Sequence, residues 1–412
     1  MTQPVADVDF FSVVGSPEFR EDPYEFFDGL RALAPVHRTE FGVYLLTRHV
    51  DAAAVVRDPK LSNDERNSDL FRALQAANPV PPEQTLDMDR VVMLFLDPPD
   101  HTRLRGLVSK GFTPRMVERL RDRIQEVVDA RLDAVVARGD GRMDVVTDLA
   151  YPLPVQIICE LLGVPVEDQS TFHSWSAELA GAIDPDPLIS PEQRERIKVA
   201  GDAFIEYFIE LIEVRRAAPA DDLLSALIAA EEGGDHLSEE ELLGTALFLF
   251  IAGHETTVNL IGNGTLALLR HPDQLERLRS DPSLDRNAVE ELLRFDSPVQ
   301  ITQRITTADY EVGGTTLPAG QNLVPLLGAA NRDPDVFPEP DRLDLGRENA
   351  HRHVGFGGGH HFCLGAALAR LEGAIAIGSL VRRFPVLELA GDPVRRTTFT
   401  LRGLEQLPVS VA

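Results

Sequence analysis

Two cysteines, one tryptophan and no long apolar run are what this 412-residue sequence offers where other proteins are rich. Two cysteines cannot build a disulfide framework, which points to a reducing compartment, the cytoplasm. The longest apolar run, LLGTALFLFIA at 242–252, is far short of the roughly 20 residues that a membrane span needs. No membrane anchor is therefore expected. The N-terminus, MTQPVADVDFFSVV, lacks the basic region and apolar core of a signal peptide. Positive charge is scarce as well: 40 Lys and Arg stand against 66 Asp and Glu, a net charge of −26. That balance excludes nucleic acid and anionic membranes as partners. No internal repeat and no low-complexity tract is visible. What remains is ordinary for a globular chain, 43% hydrophobic and 26% charged residues, and length alone predicts two or three domains.

Chemistry concentrates first at 355–365, GFGGGHHFCLG. Glycines let backbone approach a flat object closely, because no Cβ holds it away. A cysteine at the start of a helix faces unpaired N–H groups that favour the thiolate. Cys363 is thus placed as an anionic sulfur ligand beside room for something large and planar, which points to haem held by thiolate. Taken alone, a cysteine in a glycine loop is as well explained by structure. The spacing Phe356-Gly357-x-Gly359-x-His361-x-Cys363-x-Gly365 resembles the cysteine-loop signature of the cytochrome P-450 superfamily, the haem-thiolate monooxygenases.

The rest of the chain supplies further marks of that family. In DPPDHTRLR, His101 and Arg105 stand one helical turn apart. They resemble the family's donors to the haem propionates, as do Arg304 and His361. In the apolar helical pattern 238–269, opened by a Ser238/Glu241 capping box, the string Ala252-Gly253-His254-Glu255-Thr256-Thr257 breaks the rule with a charged residue. A buried glutamate is costly without a partner or a task. Reductive activation of O2 consumes two protons, and a carboxylate next to a hydroxyl can deliver them. The resemblance makes Glu255 the proton relay, Thr256 the oxygen-side hydroxyl and Ala252 a contact to the haem face. Gly253 and Thr256 are expected to open the helix to water, and His254 to be structural or a water contact. Glu291 and Arg294 resemble the family's buried ion pair, with Arg342 as the implied third member.

The implied fold is mainly α with small antiparallel β-sheets, in one domain over 1–412: an N-terminal extension over 1–21 and a family-like core over 22–412. Haem would lie between the long central helix and the cysteine-loop helix. Helices are read over 22–34, 49–57, 98–112, 114–137 and 150–163, with two more around a proline-rich break at 184–191 that resembles the family's lid. A hairpin is read over 36–47. Residues 59–97 read as a long loop without regular structure, covering the pocket. Val299, Gln300 and Ile301, with Thr400 and Leu401 at the tip of a terminal hairpin, are expected to face the substrate. The family's chemistry implies haem b, O2 as co-substrate and NAD(P)H as indirect electron source. Electrons would pass through a separate ferredoxin or flavodoxin and its reductase, docking near Lys110, Arg115, Arg352 and Arg370. The expected substrate is a lipophilic small molecule and the expected state a monomer. Competing readings are a peroxide-driven peroxygenase, which Glu255 and Thr256 oppose, a haem-binding sensor, and a zinc site of His351, His353, His360, His361 and Cys363, whose spacing fits structural zinc poorly.

Overall fold

The computed structural model describes residues 10–77, 91–184, 189–232 and 235–412. Its axis is the helix Glu239–Arg270, 32 residues, or about 48 Å at 1.5 Å per residue. Ser238 accepts from the Glu241 N–H while Glu241 accepts from the Ser238 N–H, so the expected capping box forms. Nearly every side chain along this helix is buried, because the apolar residues surround it instead of forming one stripe. Helices Pro152–Leu161, Gln169–Ala180, Pro191–Ala217, Asp285–Phe295 and Ala366–Arg383 pack around it and share one large apolar core.

The cysteine-loop helix Ala366–Arg383 meets the central helix through glycines. A Cβ on Gly373 would lie 2.8 Å from Leu260, and one on Gly264 3.1 Å from Ile377. Small residues are required at both positions for the axes to come this close. One and two turns back along these helices lie Thr256 and Ala252 on the one and Ala369 and Gly365 on the other. All four are partly exposed, so the seam opens at that end.

Strands gather on one side in a five-stranded sheet, ordered Val36–Arg38, Tyr44–Leu46, Asn322–Pro325, Arg304–Thr306 and Leu61–Ser62. The expected hairpin at 36–47 pairs Val36 with Leu46, and Gly42 takes a positive φ of 81° at its turn. One pairing departs from the antiparallel expectation: Asn322–Pro325 runs parallel to Tyr44–Leu46. Strands so distant in sequence are not joined by a hairpin, so either direction is open to them. A second sheet joins Leu387–Leu389, Pro408–Val411 and Arg142–Asp144.

Two other expectations need correction. The stretch 59–97 is not structureless: Ser68 accepts from the Phe71 N–H at 3.1 Å and caps a helix Asp69–Ala77, while 78–90 lies outside the described residues. The helix expected over 114–137 is two, Pro114–Arg119 and Arg121–Arg138, parted at Leu120, whose ψ of −11° breaks the ladder. In the N-terminal segment, Phe10–Val14 and Pro17–Glu21 are helical, and Phe10, Val14 and Phe19 are buried with Phe27 and Phe399. Of the proline-rich break, 185–188 lies outside the described residues, and Ser190 caps the helix that follows. Among the described residues no helix is long and apolar enough to cross a membrane.

Candidate active site

The cysteine loop is folded onto the protein by its own backbone. Cys363 N–H donates to the Phe356 carbonyl at 3.0 Å, and Gly357 and Gly359 adopt φ of 68° and 63°, left-handed values that favour glycine. The glycines serve two ends. A Cβ on Gly359 would sit 3.1 Å from the Arg57 Cα, and one on Gly358 2.7 Å from Arg57 Cγ, so these two clear room for protein. Only Gly365 faces open space, with nothing within 4 Å of its would-be Cβ. Gly358 and Gly359 therefore make room for protein and not for a planar group, while the space beside Gly365 is left open.

Phe356 is clamped from below. The Arg370 guanidinium lies 4.4 Å from its ring centroid and pairs with Glu290 at 2.5 Å, and Glu290 also meets His353 Nε2 at 3.0 Å. Arg370 is thus committed to supporting the loop rather than free for docking, and His353 is held by a carboxylate instead of joining His360, His361 and Cys363. Sequence inspection missed Glu290. Its only signal is a second acidic residue directly before the expected Glu291.

Cys363 is exposed, yet burial is the largest influence on its thiol. Both hold if the sulfur opens onto an internal space and not onto bulk water. Burial pushes the thiol up, while the N–H groups of Gly365 and Ala366 and the charges of Arg105 and Arg370 act the other way. A metal cation bound there would supply the missing charge, since a coordinating thiol is deprotonated outright.

Four donors expected at the propionates are brought together beside this sulfur. The His101 and His361 rings lie with centroids 4.1 Å apart, and His360 stands 5.3 Å from His101. Both ring nitrogens of buried His101 and Nε2 of His361 have no hydrogen-bond partner. Arg304 is buried with backbone carbonyls as partners, Gln303 at 2.7 Å and Val56 at 3.2 Å, and Arg105 donates to the Phe362 carbonyl at 2.6 Å. Burial first, then the neighbouring cations, pull His101 down to about 4 and His361 to about 2, and burial pulls Arg304 down to about 10. A cluster of orphaned donors that depress one another is a site for anionic groups. These residues fit a planar dianion whose metal reaches Cys363.

Across the seam, Ala252, Gly253 and Thr256 are partly exposed in an otherwise buried helix. The expected opening of that helix is absent: it is α-helical throughout, and Thr256 Oγ1 donates to the Ala252 carbonyl at 3.1 Å. A threonine hydroxyl satisfied in this way weakens a helix without breaking it. Its lone pairs remain able to accept. Glu255 is fully buried and bound by three partners: His254 Nε2 at 3.2 Å, Ser176 Oγ at 3.3 Å and the guanidinium of Arg396. Burial pushes its carboxyl up, but His254 and Arg396 outweigh burial and hold it below the usual range. His254 is anchored by Nδ1 at 2.5 Å from the Phe250 carbonyl.

A second buried acid was not foreseen. Glu372, on the cysteine-loop helix, has both oxygens buried without partners, and burial raises its carboxyl to about 8. The Thr257 hydroxyl beside it lowers that value slightly but makes no hydrogen bond of normal geometry.

The ion-pair lock is present with one correction. Arg294 Nε and Nη2 grip Glu291 at 2.7 and 2.8 Å, both side chains fully buried. The third member is Arg347, Nε at 3.1 Å from Glu291. Arg342 is exposed, pairs with Glu339 at 3.3 Å and offers only its carbonyl to the lock. Among the expected pocket residues, Gln300 turns away: Nε2 donates to the Ser297 carbonyl at 2.6 Å, and its Oε1 sits against Gly328. Val299 and Ile301 are partly exposed and are tied by bridges to Leu401 and Leu326. Thr400 and Leu401 are buried, with Thr400 Oγ1 unpartnered.

The comparisons with known proteins point to one family. The family model for cytochrome P450 matches residues 76–409. The chain is 46% identical to a vitamin D(3) 25-hydroxylase of Pseudonocardia autotrophica over 407 residues, covering 96% of this chain and 95% of that protein. It is 43% identical to the cytochrome P450 monooxygenase PikC of Streptomyces venezuelae, covering 95% and 92%. The solved structure of myxobacterial cytochrome P450 CYP267B1 in complex with myristic acid superposes with a TM-score of 0.87 at 42% identity, covering 98% of this chain and 99% of that one. Family model, relatives and solved structures agree, and the chain belongs to the cytochrome P450 family.

Proposed function

We propose that this P450 monooxygenase inserts one oxygen atom of O2 into a lipophilic small molecule, by hydroxylation or epoxidation. Electrons come from NAD(P)H through a separate ferredoxin or flavodoxin and its reductase, and the setting is the cytoplasm. The observation that carries the reading is the pair of imidazoles His101 and His361, with three unpartnered ring nitrogens, set among the cations Arg105 and Arg304 beside Cys363. Haem b held there supplies the reductive activation of O2, with the thiolate pushing electron density toward the metal.

The chain's own residues do the rest. Cys363 would hold the haem iron through its sulfur, and Phe356 over Arg370 keeps its loop in place. His101, Arg105, Arg304 and His361 would hold the propionates by charge-assisted hydrogen bonds. Glu255 takes protons from the solvent side and hands them toward Thr256, whose hydroxyl accepts while it stays anchored to Ala252. Ala252 and Gly365 keep both faces of the site free of side-chain bulk. The substrate side is bordered by Phe248, Val299 and Ile301, partly exposed apolar residues. The relatives named for vitamin D(3) and the structure holding myristic acid support a lipophilic substrate.

The test is titration of the ferric holoenzyme with myristic acid, secosteroids and macrolides, followed by turnover of any compound that shifts the spin state, under isotopically labelled O2 with ferredoxin and its reductase. One labelled oxygen atom in the product is the expected result. Product formed with hydrogen peroxide but not with reductase and O2 would overturn it in favour of a peroxygenase.

A further inference from the structure

Arg395 ends the short strand Val394–Arg395 and Arg396 follows it, and the two side chains have different partners. Arg395 goes to Asn263 at 3.0 Å and Asp296 at 3.5 Å, while Arg396 reaches the Glu255 carboxylate. The groups facing Glu255 come from four elements: His254 on its own helix, Ser176 on Gln169–Ala180, Tyr151 ahead of Pro152–Leu161, and Arg396 on the hairpin. Of these, Arg396 alone carries a permanent charge. Its own position is fixed, because Arg396 Nε donates to the Leu404 carbonyl at 3.3 Å and the hairpin is pinned on both sides. Arg402 holds Asp296 at 2.6 Å, and Asp184 accepts the N–H groups of Phe399 at 3.1 Å and Thr400 at 2.8 Å.

We propose that Arg396 is a positioning residue for proton delivery, whose ion pair keeps Glu255 ionised and aimed between Ser176 and His254. This rests on the reading of Glu255 as the relay. The guanidinium of Arg396 beside the fully buried carboxylate favours its ionised form. The ionised form can accept one proton from the solvent side for each proton it passes on, so the charge of the pair is restored after every transfer.

The experiment follows the carboxyl C=O infrared band of Glu255 against pH in the holoenzyme, assigned by its loss in Glu255→Gln. In Arg396→Gln the midpoint rises by about one pH unit or more, the effect of removing an adjacent opposite charge. The double variant Arg396→Gln/Glu255→Gln lacks the band. Arg396→Lys keeps the charge and keeps the midpoint. A midpoint unchanged in Arg396→Gln would overturn the proposal. Should that variant fail to hold haem, a rise in Arg396→Lys as large as that expected for glutamine would overturn it as well. The relay reading is read separately, from peroxide released per NAD(P)H with redox partners: a leak unchanged in Glu255→Gln removes the relay, while the infrared midpoint still decides the ion pair.

Discussion

His101 and His361 lie with ring centroids 4.1 Å apart, and three of their ring nitrogens are left without a partner. Two imidazoles so placed, with Arg304 and Arg105 acting on both, repel one another once protonated, and an anion between them reverses the sign of the interaction. Replacing His101 by Phe keeps the shape and removes the donor. A hydrogen bond to a charged group contributes about 1.5–3 kcal/mol, so His101→Phe is expected to release haem to an acceptor protein roughly tenfold faster or more. An unchanged release rate would remove His101 from the propionate site.

The lock at Glu291 separates two arginines that the sequence could not. Arg347→Ala removes a nearly buried partner of a fully buried carboxylate and is expected to cost about 2 kcal/mol in denaturant unfolding. Arg342 is exposed and pairs at the surface, so Arg342→Ala stays within about 0.5 kcal/mol of the wild type. The reverse order would show that the arginine predicted from the sequence is the true third member.

Acid stability has an identifiable source in Asp296. Burial pushes its carboxyl up, but Arg402 and Arg395, with hydrogen bonds from Arg402 and Tyr24, hold it at about 2. A depressed folded value stabilises fully above the unfolded value near 4, and that stability is lost as pH falls from there toward 2. The shift corresponds to about 2 kcal/mol. Asp296→Asn should therefore flatten the acid limb of the stability profile in that window. A limb of undiminished slope contradicts the assignment.

Glu372 works in the opposite sense. Burial raises its carboxyl to about 8 against an ordinary value of 4.5. A raised acid stabilises most below the unfolded value, and the chain loses stability as pH rises from about 4.5 to 8. Glu372→Gln keeps the shape and abolishes that slope, so the variant gains on the wild type as pH rises, measured by thermal unfolding at fixed ionic strength. Equal pH dependence in both proteins would place the ionised form in the folded state.

The sequence made the chemistry legible where residue type and spacing are both demanded, as at Cys363, His101 and Glu255. It was less informative where only the chain's path decides. Arg342 and Arg347 lie in the same meander, and which of them turns inward depends on how 337–347 wraps past Glu291. Arg396 lies far along the chain from the acid it pairs with, and residue type does not distinguish it from Arg395. Gln300 fell in the right segment but on the wrong side, since Val299 and Ile301 alternate with it. The helix Asp69–Ala77 was hidden by polar surroundings, as its cap Ser68 lies among Asn, Asp and Glu residues that read equally well as loop. Glu372 looks like any helix-surface glutamate until the neighbouring helix covers it.

The central claim is that Cys363 is the thiolate ligand of a haem seated between Ala252 and Gly365. The most direct measurement is the absorption spectrum of the reduced, carbon-monoxide-bound holoprotein beside that of Cys363→Ala. The account predicts the red-shifted Soret band of thiolate ligation in the wild type and its loss in the variant. A wild-type spectrum without that band, or a variant that keeps it, would contradict the account.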